Sequence, residues 1–228
     1  MNLPGLAGRL ALVRDRIRQH QARAGWTHEV RIVAVTKSHG PEAIRAAVAA
    51  GLTDVGENRV QEALAKQEQL AEVAVHWHLI GSLQRNKVRH VVGRFALIHS
   101  VDRAELATEL ARRAPEGSRQ PVLIEVNCSG ERQKGGVTPD ALPALLETVV
   151  ALPRLELRGL MTLAAESEDE RVQRSAFGLL RSLRDRLQDG GYPLPELSMG
   201  MSTDYPVAVE EGATLVRLGT LLFGERPQ

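Results

Sequence analysis

The 228-residue sequence predicts an α/β fold, a single (β/α)8 barrel of the TIM type with one extra helix at its N-terminus. Three observations carry that prediction. Eight strand-like runs alternate with helix-like stretches to the end of the chain, separated by short Gly, Pro, Asn or Asp punctuation. No shift of composition and no low-complexity tract divides the chain, so residues 1–228 read as one domain. The marks of an open-sheet nucleotide binder are missing, since no G-x-G-x-x-G follows the first strand-like run and no Walker A lysine motif occurs.

The chain opens with Leu6, Leu10, Val13 and Ile17 on one helical face, opposite an Arg-rich face, which predicts an amphipathic helix. The strand-like runs are V-R-I-V-A-V (30–35), T-D-V (53–55), V-H-W-H-L-I (75–80), F-A-L-I-H-S-V (95–101), P-V-L-I-E-V-N (121–127), L-E-L-R-G-L-M-T (155–162), E-L-S-M-G-M (196–201) and A-T-L-V-R-L-G (213–219). Helical stretches fall between them at 41–50, 60–70, 84–92, 103–114, 139–152, 169–188 and, briefly, 205–211. Pro41 and Pro139 suit a first helical turn, where the missing N–H has no partner to lose, and Gly51 suits a helix end.

Hydrophobic residues make up 43% of the chain and charged residues 25%, ordinary globular usage that supports a packed core. Twenty-nine basic residues against twenty-eight acidic ones give a formal charge of +1, which offers no general attraction to nucleic acid or acidic membranes. No apolar run approaches the roughly 20 residues needed to cross a bilayer, and the N-terminus lacks a signal peptide's layout, so a cytoplasmic protein with a small-molecule partner is expected. Cys128, the single cysteine, reads as a small residue near a strand end. The basic run 85–94 reads as the solvated face of a helix, and H-W-H (76–78) as two histidines facing opposite ways, unable to share a metal.

A barrel of this kind carries its site at the carboxyl ends of the strands. The residues falling there are Lys37 and Ser38; Glu57 and Asn58; His78, Gly81 and Ser82; Asn127 and Ser129; Met161 and Thr162; Ser198, Met199 and Ser202; Arg217, Gly219 and Thr220. The stretches S-M-G-M-S (198–202) and R-L-G-T (217–220) combine glycines with hydroxyls and free N–H groups, the makings of a phosphate site after the last two strands. A lysine at a dry barrel mouth has its amine neutralised by desolvation and nearby cations, which readies it for Schiff-base chemistry. Lys37, a phosphate cradle and Arg217 on the neighbouring strand together match what pyridoxal phosphate needs: a partner each for aldehyde, phosphate and ring nitrogen. A lysine aldolase acting on a sugar phosphate would share barrel, lysine and phosphate loops without the cofactor.

The blocks A-V-T-K (34–37), G-E-N-R-V-Q-E (56–62), W-H-L-I-G-S-L-Q-R-N-K (77–87), R-G-L-M-T (158–162), L-S-M-G-M-S (197–202) and V-R-L-G-T-L-L-F-G (216–224) make the chain resemble the pyridoxal phosphate homeostasis proteins, nearly end to end. That family has the fold type III, alanine racemase-like barrel. The resemblance implies that Lys37 carries pyridoxal 5'-phosphate, the vitamin B6 cofactor, as an internal aldimine. It further implies that Ser202, Gly219 and Thr220 hold the phosphate, with the Ser198–Met199 backbone close by. Arg217 would face the ring nitrogen, Asn58 would lie near the ring, and His78 would line the pocket. The chain departs from the family's common pattern at Arg59, Ser82 and His39-Gly40, where tyrosine, proline and lysine-proline are usual.

Racemases of this fold take a second base, a tyrosine, from an additional β-domain. This sequence ends at Gln228, so that domain is expected to be absent, and Tyr205 reads as a helix-start residue. The resemblance therefore implies intracellular buffering and delivery of the cofactor to apo-enzymes, by a monomer, without evident catalysis. The alternative is a racemase-like enzyme of unassigned substrate. Residues 130–136 read as a rim loop that gates the cofactor.

Overall fold

The computed structural model describes residues 5–131 and 133–224, and its eight strands form one closed parallel barrel ordered as in the sequence, the last strand pairing with the first. Helix α1 (Leu6–Ala24) precedes β1 (Arg31–Val35), α2 (Pro41–Ala49), β2 (Asp54–Glu57), α3 (Val60–Gln69), β3 (His76–Leu79), β4 (Leu97–Val101) and α4 (Ala104–Arg113). There follow β5 (Gln120–Glu125), α5 (Leu142–Val150), β6 (Leu155–Met161), α6 (Glu170–Asp189), β7 (Glu196–Ser198), α7 (Tyr205–Glu210), β8 (Leu215–Leu218) and α8 (Thr220–Phe223). The barrel matches the sequence-based expectation. Residues 1–4, 132 and 225–228, part of the expected single domain, lie outside the described residues.

Two helices differ from their sequence signals for local reasons. The stretch expected to be helical at 84–92 forms a 3₁₀ helix (Arg85–His90). Its buried residue Val88 and Val91, which follows its last turn, are three apart, the repeat of a three-residue turn, while Arg89 and His90 between them face water. The helix expected from Pro139 opens as a 3₁₀ turn (Pro139–Ala141), because Pro143 has no N–H to return to the Pro139 carbonyl and a continuous α-helical ladder is blocked.

The strands alternate their faces. In β1, Ile32 and Ala34 join the large core beneath the helices, whereas Val33 joins Leu97, Leu123, Met161 and Leu215 in a small apolar cluster inside the barrel. Helix α1 buries Leu6, Leu10, Val13 and Ile17 as its spacing requires and lies against α7 and α8. Arg9 adds a hydrogen bond from Nε to the Leu222 carbonyl at 2.8 Å.

Strand β6 contains a register shift against β5, between the Val122–Leu157 and Leu123–Gly159 pairs. Gly159 sits there at φ +156°, and a Cβ would lie 1.9 Å from the Glu196 carbonyl oxygen of β7. Gly159→Ala is therefore expected to cost on the order of 3 kcal/mol or more, read as the urea midpoint at constant slope. A loss below about 1 kcal/mol would mean that the β6–β7 seam yields.

Candidate functional site

Barrel closure sets Val33 of β1 opposite Arg217 of β8 and Ala34 opposite Leu218, so the segment carrying Lys37 leaves the barrel beside Gly219 and Thr220. Half-buried Lys37 occupies a tight turn closed by the His39 N–H donating to the Thr36 carbonyl at 3.0 Å. Ser38, next in that turn, has φ +65°, the one left-handed non-glycine residue among those described. Helix α3 holds this conformation from beneath. Lys66 Nζ donates to the Thr36 carbonyl at 2.8 Å, to Glu57 Oε1 at 2.6 Å and to Glu62 Oε1 at 2.8 Å. Glu62 Oε1 also accepts the Ser38 N–H at 2.7 Å, and the Thr36 hydroxyl donates to Glu57 at 2.6 Å. Both neighbours of Lys37 are thus tied to one charged cluster. Burial pushes the Glu57 carboxyl above its ordinary range even with Lys66 beside it. At Glu62 burial pulls the same way, but hydrogen bonds from Lys66 and the Ser38 N–H hold the carboxyl below that range.

Across the seam, the loops after β7 and β8 meet. Gly200 at φ +93° closes against Tyr205 and Ala208, where a Cβ would come within 2.6 Å of the Ala208 side chain. Its carbonyl accepts the Arg217 N–H at 2.9 Å, and Asp204 accepts the Met201 N–H at 2.5 Å. Ser202 Oγ accepts the Gly219 N–H at 3.4 Å and the Leu221 N–H at 3.3 Å. A hydroxyl and two amide donors thereby converge at the start of α8. The sequence reading did not assign α8 as an element, although L-L-F (221–223) after G-T, with Leu222 and Phe223 buried, was its signal. His39, one of the departures from the family pattern, packs its ring against Phe223 with centroids 5.5 Å apart. A cavity of about 550 Å³ opens beside Ser202, lined by Met201, Thr203, Asp204, Lys134 and the 163–168 loop.

Arg217 is buried one layer below the mouth, donating to Ser198 Oγ at 2.5 Å and to the Thr162 carbonyl at 2.9 Å. Burial pulls its guanidinium down to about 10, with Asp204 and Glu125 pulling the other way, so it stays cationic at neutral pH. Asn58 follows β2, and its backbone packs on Gly81, where a Cβ would meet the Asn58 carbonyl at 2.4 Å. His78 lies deeper inside the barrel, hydrogen-bonded to His99 and Asp54. The Met199 side chain belongs to the core under the helices, leaving its backbone near the loop.

The expectation that His76 and His78 face opposite ways is overturned. Residues two apart on a strand share a face, and both rings approach Asp54 Oδ1, at 3.7 Å and 2.8 Å. Even so, no group of three His, Cys, Asp or Glu residues suited to a metal occurs among the described residues. Burial pushes the Cys128 thiol up to about 11, which suits a structural residue. Asn127 pins the loop after β5 by donating to the Glu131 and Lys134 carbonyls at 2.9 and 3.3 Å; Arg132, within the expected gating loop, lies outside the described residues.

Sequence reasoning passed over His99 and Glu125. Both sit at inward-facing positions of their strands, two residues beyond Leu97 and Leu123, so alternation was the signal. Burial pushes Glu125 up to about 7, Asp102 adds to the shift and Arg217 opposes it.

Similarity to known proteins agrees with the barrel fold. The family model described as alanine racemase, N-terminal domain, matches residues 9–227. A pyridoxal phosphate homeostasis protein of Aquifex aeolicus is 48% identical over 96% of this chain and 97% of its own length. The solved structure of PipY from Synechococcus elongatus, with pyridoxal phosphate bound, is 40% identical, with a TM-score of 0.84 over 96% of this chain and 100% of that one. An alanine racemase of Clostridium difficile shares the fold at 15% identity, with a TM-score of 0.78 over all of this chain and 58% of that one.

Glu125 gives this site a pH signature. Its folded-state value lies above its ordinary 4.5, so folding gains from the bound proton below that pH and loses the gain as pH rises to about 7. In cofactor-free protein, Glu125→Gln is expected to be more stable than the native chain at pH 8 by up to about 3 kcal/mol, the gap closing toward pH 4.5. Urea unfolding at the two pH values measures it, and equal differences at both would remove Glu125 as the cause.

Proposed function

We propose that this chain, which belongs to the pyridoxal phosphate homeostasis protein family, binds pyridoxal 5'-phosphate covalently at Lys37 as an internal aldimine and buffers and hands on that cofactor. The observation carrying this reading is the meeting, at one barrel seam, of a lysine on a clamped turn with converging amide donors and a buried arginine. The donor set fits the group. The Lys37 amine answers the aldehyde, the Ser202 hydroxyl with the Gly219 and Leu221 N–H groups and Thr220 answers the phosphate, and Arg217 answers the ring nitrogen. Asn58 and the Ser198–Met199 backbone border the ring, and His78 acts from the barrel interior. The PipY structure, solved with pyridoxal phosphate bound, supports the same ligand here.

When bound, the cofactor supplies an electrophilic carbon and, with its ring nitrogen protonated, an electron sink. A cationic Arg217 facing that nitrogen would oppose its protonation, since two cations repel, and so would make decarboxylation or transamination less favourable. Tyr205 is the buried first residue of α7, and burial pushes its phenol up, away from the range of a base at neutral pH. The reading extends to a single-domain monomer in the cytoplasm whose recipients are apo-enzymes that need this cofactor.

The purified protein is expected to show an imine absorbance band, and borohydride followed by peptide mapping should place the label on Lys37. An equally intense band in Lys37→Ala would refute the lysine assignment. Ser202→Ala should weaken cofactor binding by about 1–2 kcal/mol, roughly five- to thirtyfold, measured by fluorescence titration. Offered amino acids in heavy water should show no sustained deuterium uptake at Cα; steady exchange would favour a racemase over a carrier.

A further inference from the structure

The barrel interior holds the small apolar cluster, and polar side chains also run through it in series. His78 Nε2 meets Asp54 Oδ1 at 2.8 Å, and His78 Nδ1 meets His99 Nε2 at 2.9 Å. His99 Nδ1 meets Ser198 Oγ at 2.9 Å, and Arg217 donates to that oxygen at 2.5 Å. Interiors of such barrels are ordinarily packed with branched aliphatic side chains. A continuous line of hydrogen bonds from the N-terminal end to Arg217 therefore calls for an explanation.

Chemistry fixes the direction of every link. Arg217 can only donate, so Ser198 Oγ accepts. An ionised Asp54 can only accept, so His78 carries its proton on Nε2 and, while neutral, offers Nδ1 as an acceptor. His99 must then donate from Nε2 and accept the Ser198 hydroxyl at Nδ1. Burial works against the Asp54 charge, yet His78, Arg31 and His76 hold its carboxyl below the ordinary range. Burial drives His99 well below the ordinary histidine range, with His78, Arg217 and Arg31 adding to the effect, which keeps it a neutral, one-proton link.

We propose that Asp54, His78 and His99 are positioning residues for Arg217, a one-way thread that holds the Ser198 hydroxyl as its acceptor and so fixes how the guanidinium meets the cofactor ring. This rests on the proposed cofactor reading. The thread reaches solvent at an open pocket of about 270 Å³ at the N-terminal end of the barrel, lined by Asp54, His78 and the charged groups Arg31, His76, Glu156, Arg158 and Glu196.

Two measurements on the full chain test this. In cofactor-free protein, imidazole nitrogen-15 spectra at pH 8 should show His78 and His99 both protonated at Nε2 and bare at Nδ1; an Nδ1–H on either overturns the thread whatever the cofactor does. For ligand binding, Asp54→Ala removes the acceptor at the end of the thread. It should weaken pyridoxal 5'-phosphate by roughly tenfold while leaving competition by inorganic phosphate, which needs only the phosphate donors, unchanged. Equal losses for both ligands would indicate general damage, and no loss for either would indicate no coupling; each refutes the proposal. If the native chain binds no pyridoxal 5'-phosphate, the cofactor reading fails and the tautomers still decide the thread.

Discussion

The backbone pairing of β1 with β8 is the constraint on which the remaining geometry depends. Arg31, Ile32, Val33 and Ala34 stand opposite Leu215, Val216, Arg217 and Leu218, joining the first and last strands of the chain. Without that pairing both strands would present unbonded edges, and Lys37 would have no fixed relation to the loops carrying Ser202 and Gly219. Closing so long a loop costs entropy, but that cost grows only slowly with length. Packing along the seam offsets it. Gly219 lies against Val35, where a Cβ would sit 3.3 Å from the Val35 carbonyl, and α1 lies over α7 and α8 on the outside. The N-terminal helix is thereby a clamp on the seam.

Closure brings the lysine to the right place, and the cluster beneath it sets the backbone. A left-handed serine and a buried carboxylate are both unfavourable in isolation, by roughly 1 kcal/mol for the first and several for the second. Here each compensates the other. Lys66 neutralises Glu57 while bonding the Thr36 carbonyl, and Glu62 takes up the Ser38 N–H that the left-handed turn presents. A buried ion pair is weak evidence for stability. Its consequence is local: the turn is tied down on either side of Lys37, at the Thr36 carbonyl and the Ser38 N–H.

The eight strands, their order and the helix starts at Pro41 and Asp169 were legible because apolar alternation and capping are local signals. Lys37, Ser202 and Gly219 were legible because residues at the ends of barrel strands share one rim. What escaped was set across strands. No local pattern tells that Glu125 faces a cationic guanidinium, or that His78 bonds His99 instead of facing the rim, since both depend on register between strands that meet only after closure. The error over His76 and His78 was of a different kind: the two-residue period was misapplied, and the shared Asp54 partner exposes it. The 3₁₀ turn before α5 was readable from Pro143, which the sequence reading, resting on Pro139, did not use.

The division of the barrel interior bears on whether a site of this kind holds its ligand or transforms it. Acceleration requires groups that bind a transition state more tightly than a ground state. The phosphate donors and Arg217 answer features that the proposed cofactor keeps throughout, and so contribute to grip without distinguishing a reacting state. Glu125 is the exception among the described mouth residues, a carboxyl poised near neutrality where a proton acceptor would be useful. Yet it is 5% exposed at the end of β5, with Gly135 packed against its carboxylate and the Gly136 backbone beside its carbonyl. A base must reach the proton it removes, and this one lies under a covering loop. The same burial that raises the Glu125 carboxyl toward neutrality thus also screens it from the mouth.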